Sequence, residues 1–218
     1  MRSFVIVLAL ASVTSCKNGV GALASLVAFE GKIDMTVTMP ISPTSTLMTS
    51  YEVKGKKIRT ETKGVIGVVN ITDTDAKKSW LIDDAARTYY EIDLEKAIAT
   101  SKATAATSKA RSLGKSDKVA GYSCDLWEVA DTTMRAEVCV ASGLSMIALG
   151  LSGPFSMFAK GGDAWSEVMS RGFPLRMVMS DASGAVMMKM EATRIEKKSL
   201  PDSEFQVPAG YTKTASPI

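Results

Sequence analysis

Apolar and polar side chains alternate along this chain in short runs parted by turn residues. Ile33, Met35, Val37 and Met39 alternate with Lys32, Asp34, Thr36 and Thr38, the two-residue period of a strand buried on one face, and Pro40 and Pro43 end it. Leu47, Tyr51 and Val53 share a second such face. The polar turn Lys54–Lys57 then reverses the chain into Ile58, Thr60 and Thr62, set against Arg59 and Glu61. Val65–Ile71, Ser79–Asp83 and Arg87–Ile92 continue the series as a meander with a turn about every ten residues, which favours an antiparallel sheet.

Asp93 is placed to cap a helix beginning at Leu94. Over residues 94–112 the pattern predicts a weakly anchored helix or crossover. Ala99–Ala103 recurs as Ala106–Ala110, where alanine favours helix, threonine and serine weaken it, and large apolar residues are scarce. Lys102, Lys109, Arg111 and Lys115 make this stretch basic, read as a solvated face. Strand periodicity resumes at Lys118. Leu126, Glu128 and Ala130 share one face, Trp127 and Val129 the other, and Arg135–Val140 runs back.

Residues 144–169 loosen into helical segments broken at Gly153 and Pro154, with Met146, Ile147, Phe155 and Trp165 as apolar anchors. Leu175, Met177 and Met179 form another strand face. After the turn Asp181–Gly184 come Val186, Met188, Met190 and Ala192. If that turn is centred between Ala182 and Ser183, Met177 opposes Met188 and Met179 opposes Val186, with Leu175 meeting Met190. In the tail, Phe205, Val207 and Tyr211 are positioned to plug a sheet edge. The methionines crowd the second half, from Met134 to Met190; any one of them reads as core filling, while their clustering on adjacent strands points to a deformable apolar cavity.

The first fifteen residues do not fit this pattern. A single charge at Arg2 precedes an apolar run from Phe4 to Val13, then Thr14, Ser15 and Cys16. This is the layout of a secretory leader ending in a lipoprotein box, which makes Cys16 the acylated first residue of the mature protein. The run is about ten residues long, against roughly 20 needed to cross a bilayer, so the expectation is attachment without spanning. Lys17 follows the cysteine where aspartate would mark inner-membrane retention, so the outer membrane is the expected site. The expected domains are a leader at 1–15, a lipidated tether at 16–28, one domain at 29–213 and a tail at 214–218.

Composition narrows the chemistry. The chain has no histidine, which removes the commonest general base and the commonest metal ligand together. Asp73 with Asp75, and Asp83 with Asp84, sit at turns where aspartate is favoured for backbone bonding. Neither a phosphate loop nor a nucleophile elbow is present, and a formal charge of +3 is too small and dispersed for nucleic acid. No enzyme activity, metal or cofactor is expected. With Cys16 taken by the anchor, Cys124 and Cys139 remain, an even pair in an oxidising compartment. If Asp131 and Thr132 form the turn between them, the two cysteines face each other directly across a hairpin, as a disulfide requires.

The segments Phe29–Met35, Lys56–Glu61, Val119–Cys124, Phe173–Arg176 and Phe205–Tyr211, with the aspartate- and tryptophan-bearing meander, resemble a family of secreted bacterial proteins. That family is a domain of unknown function placed near the LolA-like lipoprotein-carrier fold, and the resemblance covers about residues 29–213. It implies a mainly β architecture: a curved antiparallel sheet, an unclosed half-barrel, with covering helices. Relatives of that architecture carry or sense lipids or lipoproteins. The resulting expectation is a membrane-anchored envelope lipoprotein that binds a lipid or acyl chain. The cavity would be lined by Leu175, Met177, Met179, Val186, Met188, Met190, Met146, Phe155 and Trp165. The alternative is an interaction, sensing or structural lipoprotein with a protein partner and a filled core. For the anchor the test is direct. Cys16→Ser should leave an unprocessed, unlipidated precursor on gels and in membrane fractionation; processing and membrane association like the wild type would refute it.

Overall fold

The computed structural model describes residues 29–40, 46–63, 68–103, 108–142, 144 and 162–215. Twelve strands among them form a single sheet. The first six make a meander: β1 (Glu30–Thr38), β2 (Thr46–Lys54), β3 (Lys57–Lys63), β4 (Val68–Asp73), β5 (Lys78–Asp83) and β6 (Thr88–Asp93). Helix α1 (Leu94–Ala103) follows, and Asp93 caps it, its Oδ1 accepting from the Lys96 amide at 3.1 Å.

A second meander is built from β7 (Lys109–Val119), β8 (Tyr122–Ala130), β9 (Met134–Ala141), β10 (Phe173–Asp181) and β11 (Val186–Lys197). Helix α2 (Gly162–Met169) lies between β9 and β10. The two meanders join where β11 pairs antiparallel with β1. Across the sheet the order is β12-β6-β5-β4-β3-β2-β1-β11-β10-β9-β8-β7, with the short β12 (Thr212–Lys213) parallel to β6 at one edge.

The sheet curls. Tyr51 on β2 and Phe173 on β10 meet edge to face with centroids 5.8 Å apart. Two strands, β1 and β11, lie between β2 and β10, so a flat sheet would hold them about 14 Å apart. The face carrying these rings is therefore concave. At the ends of this face, backbones press together: a Cβ added at Gly31 or Gly172 would lie 2.1 Å from the carbonyl oxygen of Glu196 or Ala141.

The convex face of β4 and β5 is closed by the tail. Leu200 and Phe205 are buried against Val69, Ile71 and Ile82, with Trp80, Tyr89 and Tyr211 packed around them. Lys54 Nζ donates to the Leu200 carbonyl at 2.7 Å, and the Leu200 amide donates to Glu30 Oε1 at 2.7 Å. The tail thus covers a sheet face as well as extending an edge.

Three expectations need correction. Strand β7 begins at Lys109, where the sequence pattern predicts a helix or crossover to residue 112 and strand only from Lys118. It is an edge strand, exposed over most of its length, so no apolar alternation marks it; pairing with β8 overrides local propensity. The cysteine hairpin turns between Thr132 and Thr133, with Asp131 Oδ1 accepting from the Thr133 and Met134 amides at 2.7 and 2.9 Å. Cys139 therefore opposes Leu126, and its disulfide to Cys124, with Cα atoms 5.2 Å apart, runs diagonally. The methionine hairpin turns later than expected, with the Asp181 amide bonded to the Ala185 carbonyl, and carries a bulge beside Met179 and Ser180. Met177 consequently opposes Met190, Met179 opposes Met188, and Val186 opposes Ser180, 46% exposed and off the apolar face. Met146, Ile147 and Phe155 lie outside the described residues.

Directly over the disulfide, on the convex face, Arg176 Nη2 donates to Asp117 Oδ2 at 2.6 Å. Arg176 opposes Cys139 on β10, and Asp117 opposes Cys124 on β7, so one row of contacts ties four strands. Arg176 holds the Asp117 carboxyl below the usual carboxylate range, so this pair supports folding above that range and is lost as pH falls through it. Free-thiol labelling of unfolded, unreduced protein should find neither Cys124 nor Cys139 reactive. Replacing both by alanine should cost roughly 2–5 kcal/mol in urea unfolding; two labelled thiols would contradict the pairing.

Candidate functional site

The concave face is the candidate site, and its residues follow from strand alternation. Val37 opposes Met190, Met190 opposes Met177, Met177 opposes Val138, and Val138 opposes Trp127, an unbroken apolar row from β1 to β8. One step along, Met188 opposes Met179, which opposes Ala136. All but Trp127, which is half-buried, are buried. A bulge between Pro174 and Arg176 breaks strict alternation, so Phe173, Pro174 and Leu175 are all buried. Of the sequence-predicted lining, Leu175, Met177, Met179, Met188, Met190 and Trp165 therefore belong to one buried cluster, and Val186 does not.

Helix α2 supplies the described part of the cover. Ala164, Trp165 and Val168 point into the cluster, one apolar stripe of a short helix seated over β7 and β8. Just past its end, the Arg171 guanidinium stacks on the Trp127 ring, 4.1 Å from the centroid, and Arg171 also pairs with Glu167 at 2.9 Å. The cation closes the rim of the apolar face at β8.

Toward β2–β5 the same face changes chemistry, which the apolar pattern alone did not reveal. Met35 opposes Thr49, and Thr49 opposes Thr62. Ile33 opposes Tyr51, Tyr51 opposes Thr60, and Thr60 opposes Asn70. Ile58 opposes Thr72, which opposes Ser79. Thr49, Thr60, Asn70, Thr72 and Ser79 are all buried. Their signal in the sequence was uncharged polar residues at inward strand positions while Arg59 and Glu61 took the outward ones.

Most of this shelf is internally bonded. Asn70 Nδ2 donates to Ser79 Oγ at 2.9 Å, and Thr72 Oγ1 donates to Asn70 Oδ1 at 3.0 Å. The Thr49 and Thr62 hydroxyls share a hydrogen bond at 3.3 Å. Burial pushes the Tyr51 phenol well above its ordinary pKa, so it stays neutral. Thr60 Oγ1, buried in the middle of the shelf, has no hydrogen-bond partner among the described residues. Chemically, the concave face offers an apolar wall continuous with a shelf of neutral hydroxyl and amide groups.

Comparison with known proteins places this architecture. The family model described as a domain of unknown function (DUF4412) matches residues 29–211. No curated protein sequence matches the chain. Among solved structures, an uncharacterized conserved protein from Thermus thermophilus is similar over 87% of this chain and 91% of its own, at 10% identity and a TM-score of 0.54. At that identity the likeness is one of fold. A LolA superfamily protein from Nitrosomonas europaea matches over 82% of this chain and 90% of its own, at 12% identity and a TM-score of 0.35. MucB of Pseudomonas aeruginosa, solved in complex with MucA(peri), matches over 83% of this chain and 55% of its own, at 13% identity and a TM-score of 0.47.

The two kinds of shelf residue should respond to mutation with opposite signs. Asn70→Ala strands the bonds of Thr72 and Ser79 and should cost about 1–3 kcal/mol in urea unfolding. Thr60→Val exchanges an unpartnered buried hydroxyl for a methyl of equal size and should stabilise by about 1 kcal/mol. Destabilisation by Thr60→Val would show that its hydroxyl is already bonded.

Proposed function

The chain belongs to the DUF4412 family, and we propose that it is an exported, lipid-anchored binding module whose concave sheet face holds the acyl chain of a lipid. Cys16 is the anchor in this reading, following the apolar leader directly, and the outer membrane is its destination. The disulfide between Cys124 and Cys139 fits an oxidising envelope compartment.

One observation carries the ligand reading. Met177, Met179, Met188 and Met190 form two adjacent cross-strand pairs at the heart of a curled, unclosed sheet face. Four unbranched thioethers side by side make a wall that changes shape at low cost, which suits an acyl chain better than a fixed β-branched core does. The wall lies on the same face as α2, which covers it at β7 and β8 and shares its buried cluster. The reaction required of the protein is binding only; no side chain on the wall carries a nucleophile or a general base.

Large-to-small substitution separates a ligand wall from ordinary core. In a closed core each Met→Ala change costs roughly 2–5 kcal/mol. With Met179 and Met188 both replaced by alanine, the loss should fall below that range per residue and binding of a fluorescent fatty-acid probe should weaken. Full core-sized losses, together with no probe binding to the wild type, would remove the carrier reading and leave the concave face as packed interior.

A further inference from the structure

Across the concave face the change from apolar to polar runs obliquely: it begins at Thr49 on β2 in one row, at Thr60 on β3 beyond Tyr51 in the next, and at Thr72 on β4 beyond Val53 and Ile58 in the third. Met35 faces Thr49, and Ile33 faces Tyr51, whose ring touches Phe173 at the end of the apolar wall. Beyond that contact the rows run into Thr60, Asn70, Thr72 and Ser79. A ligand with one apolar and one polar part can therefore lie across the boundary without leaving either part in the wrong surroundings.

The shelf defines which polar part fits. Thr49, Thr60, Thr62, Asn70, Thr72 and Ser79 are all uncharged. A carboxylate or phosphate buried among them would either keep its charge without a cationic partner or take up a proton, and each costs free energy at neutral pH. A neutral carbonyl, ester or amide incurs no such penalty. The hydrogen bonds within the shelf occupy the Asn70, Thr72 and Ser79 side chains with one another and Thr49 with Thr62. Thr60 is different: it is 2% exposed, its hydroxyl is unpartnered among the described residues, and on β3 it stands between Tyr51 and Asn70, where its row turns polar. A hydroxyl has a proton to donate, and an isolated one in the interior costs free energy until an acceptor arrives.

We propose that the β2–β5 shelf receives the polar linkage of the bound amphiphile, with Thr60 Oγ1 donating to an acyl-ester carbonyl, so that the ligand is a neutral acyl ester and not a free fatty acid. This rests on the acyl-chain reading above and adds the head group to it. The wall accounts for affinity toward any long chain, and the shelf accounts for choice among chains bearing different ends.

The test is competition on the full-length chain, displacing an apolar fluorescent probe with monopalmitoylglycerol or with palmitate, each below its micelle concentration. Wild type should release the probe at about tenfold lower monopalmitoylglycerol than palmitate, the scale of one buried hydrogen bond plus an avoided buried charge. Thr60→Val should erase about fivefold or more of that preference, and Thr60→Ser, which restores a hydroxyl, should keep it. Equal displacement by the two competitors, or a preference that survives Thr60→Val, overturns the head-group assignment while the acyl wall stands. A wild type that takes up no probe overturns both.

Discussion

The pairing of β1 with β11 is the constraint on which the remaining architecture depends. These strands lie far apart in the chain, yet their register runs from Gly31 opposite Lys197 to Thr38 opposite Lys189. Without that seam there would be two separate meanders, each with an exposed apolar face and a bare edge. With it, Ile33, Met35 and Val37 on one meander and Met188, Met190 and Ala192 on the other become parts of one buried face. Curvature across the seam then brings Tyr51 onto Phe173.

Around the seam, stabilising features divide by face. The concave side depends on apolar burial and on α2, and its polar sector is neutral. The convex side carries the charge: Arg176 with Asp117, Lys54 with Asp202 at 2.9 Å, and Lys78 with Glu91 at 3.0 Å. Such surface pairs contribute little each, typically below about 1 kcal/mol. Their placement has a clearer consequence, since charge kept to the convex side leaves the concave wall and shelf free of it. The disulfide and the tail add local fastening at opposite ends of the sheet, one on β8 and β9, the other on β4 and β5.

Much of this was legible in the sequence because one-sided burial writes itself as alternation. The strand from Glu30 to Thr38, the hairpin through Gly55, and the buried methionines of β10 and β11 all show it. Registers were less legible. Both the cysteine and the methionine hairpins turn later than their sequence midpoints imply, because the Asp131 and Asp181 carboxylates accept from amides two to four residues on and so fix where each turn lies. Strand β7 was hidden because an edge strand exposed over most of its length has no apolar period to show. The repeated Ala-Thr-Ser-Lys-Ala makes the same point: its first copy, Ala99–Ala103, is helical, and its second ends in β7 at Lys109 and Ala110. The polar shelf was missed for a different reason, since threonine, serine and asparagine at inward positions look like surface until pairing shows which way they face.

The central claim is that the concave face encloses a lipid's acyl chain. Native mass spectrometry of the protein purified gently from its own membranes tests it most directly. The account predicts a population carrying the additional mass of one neutral acyl lipid, released when the sheet unfolds. A single bare species, unchanged after incubation with lipid vesicles, would contradict it.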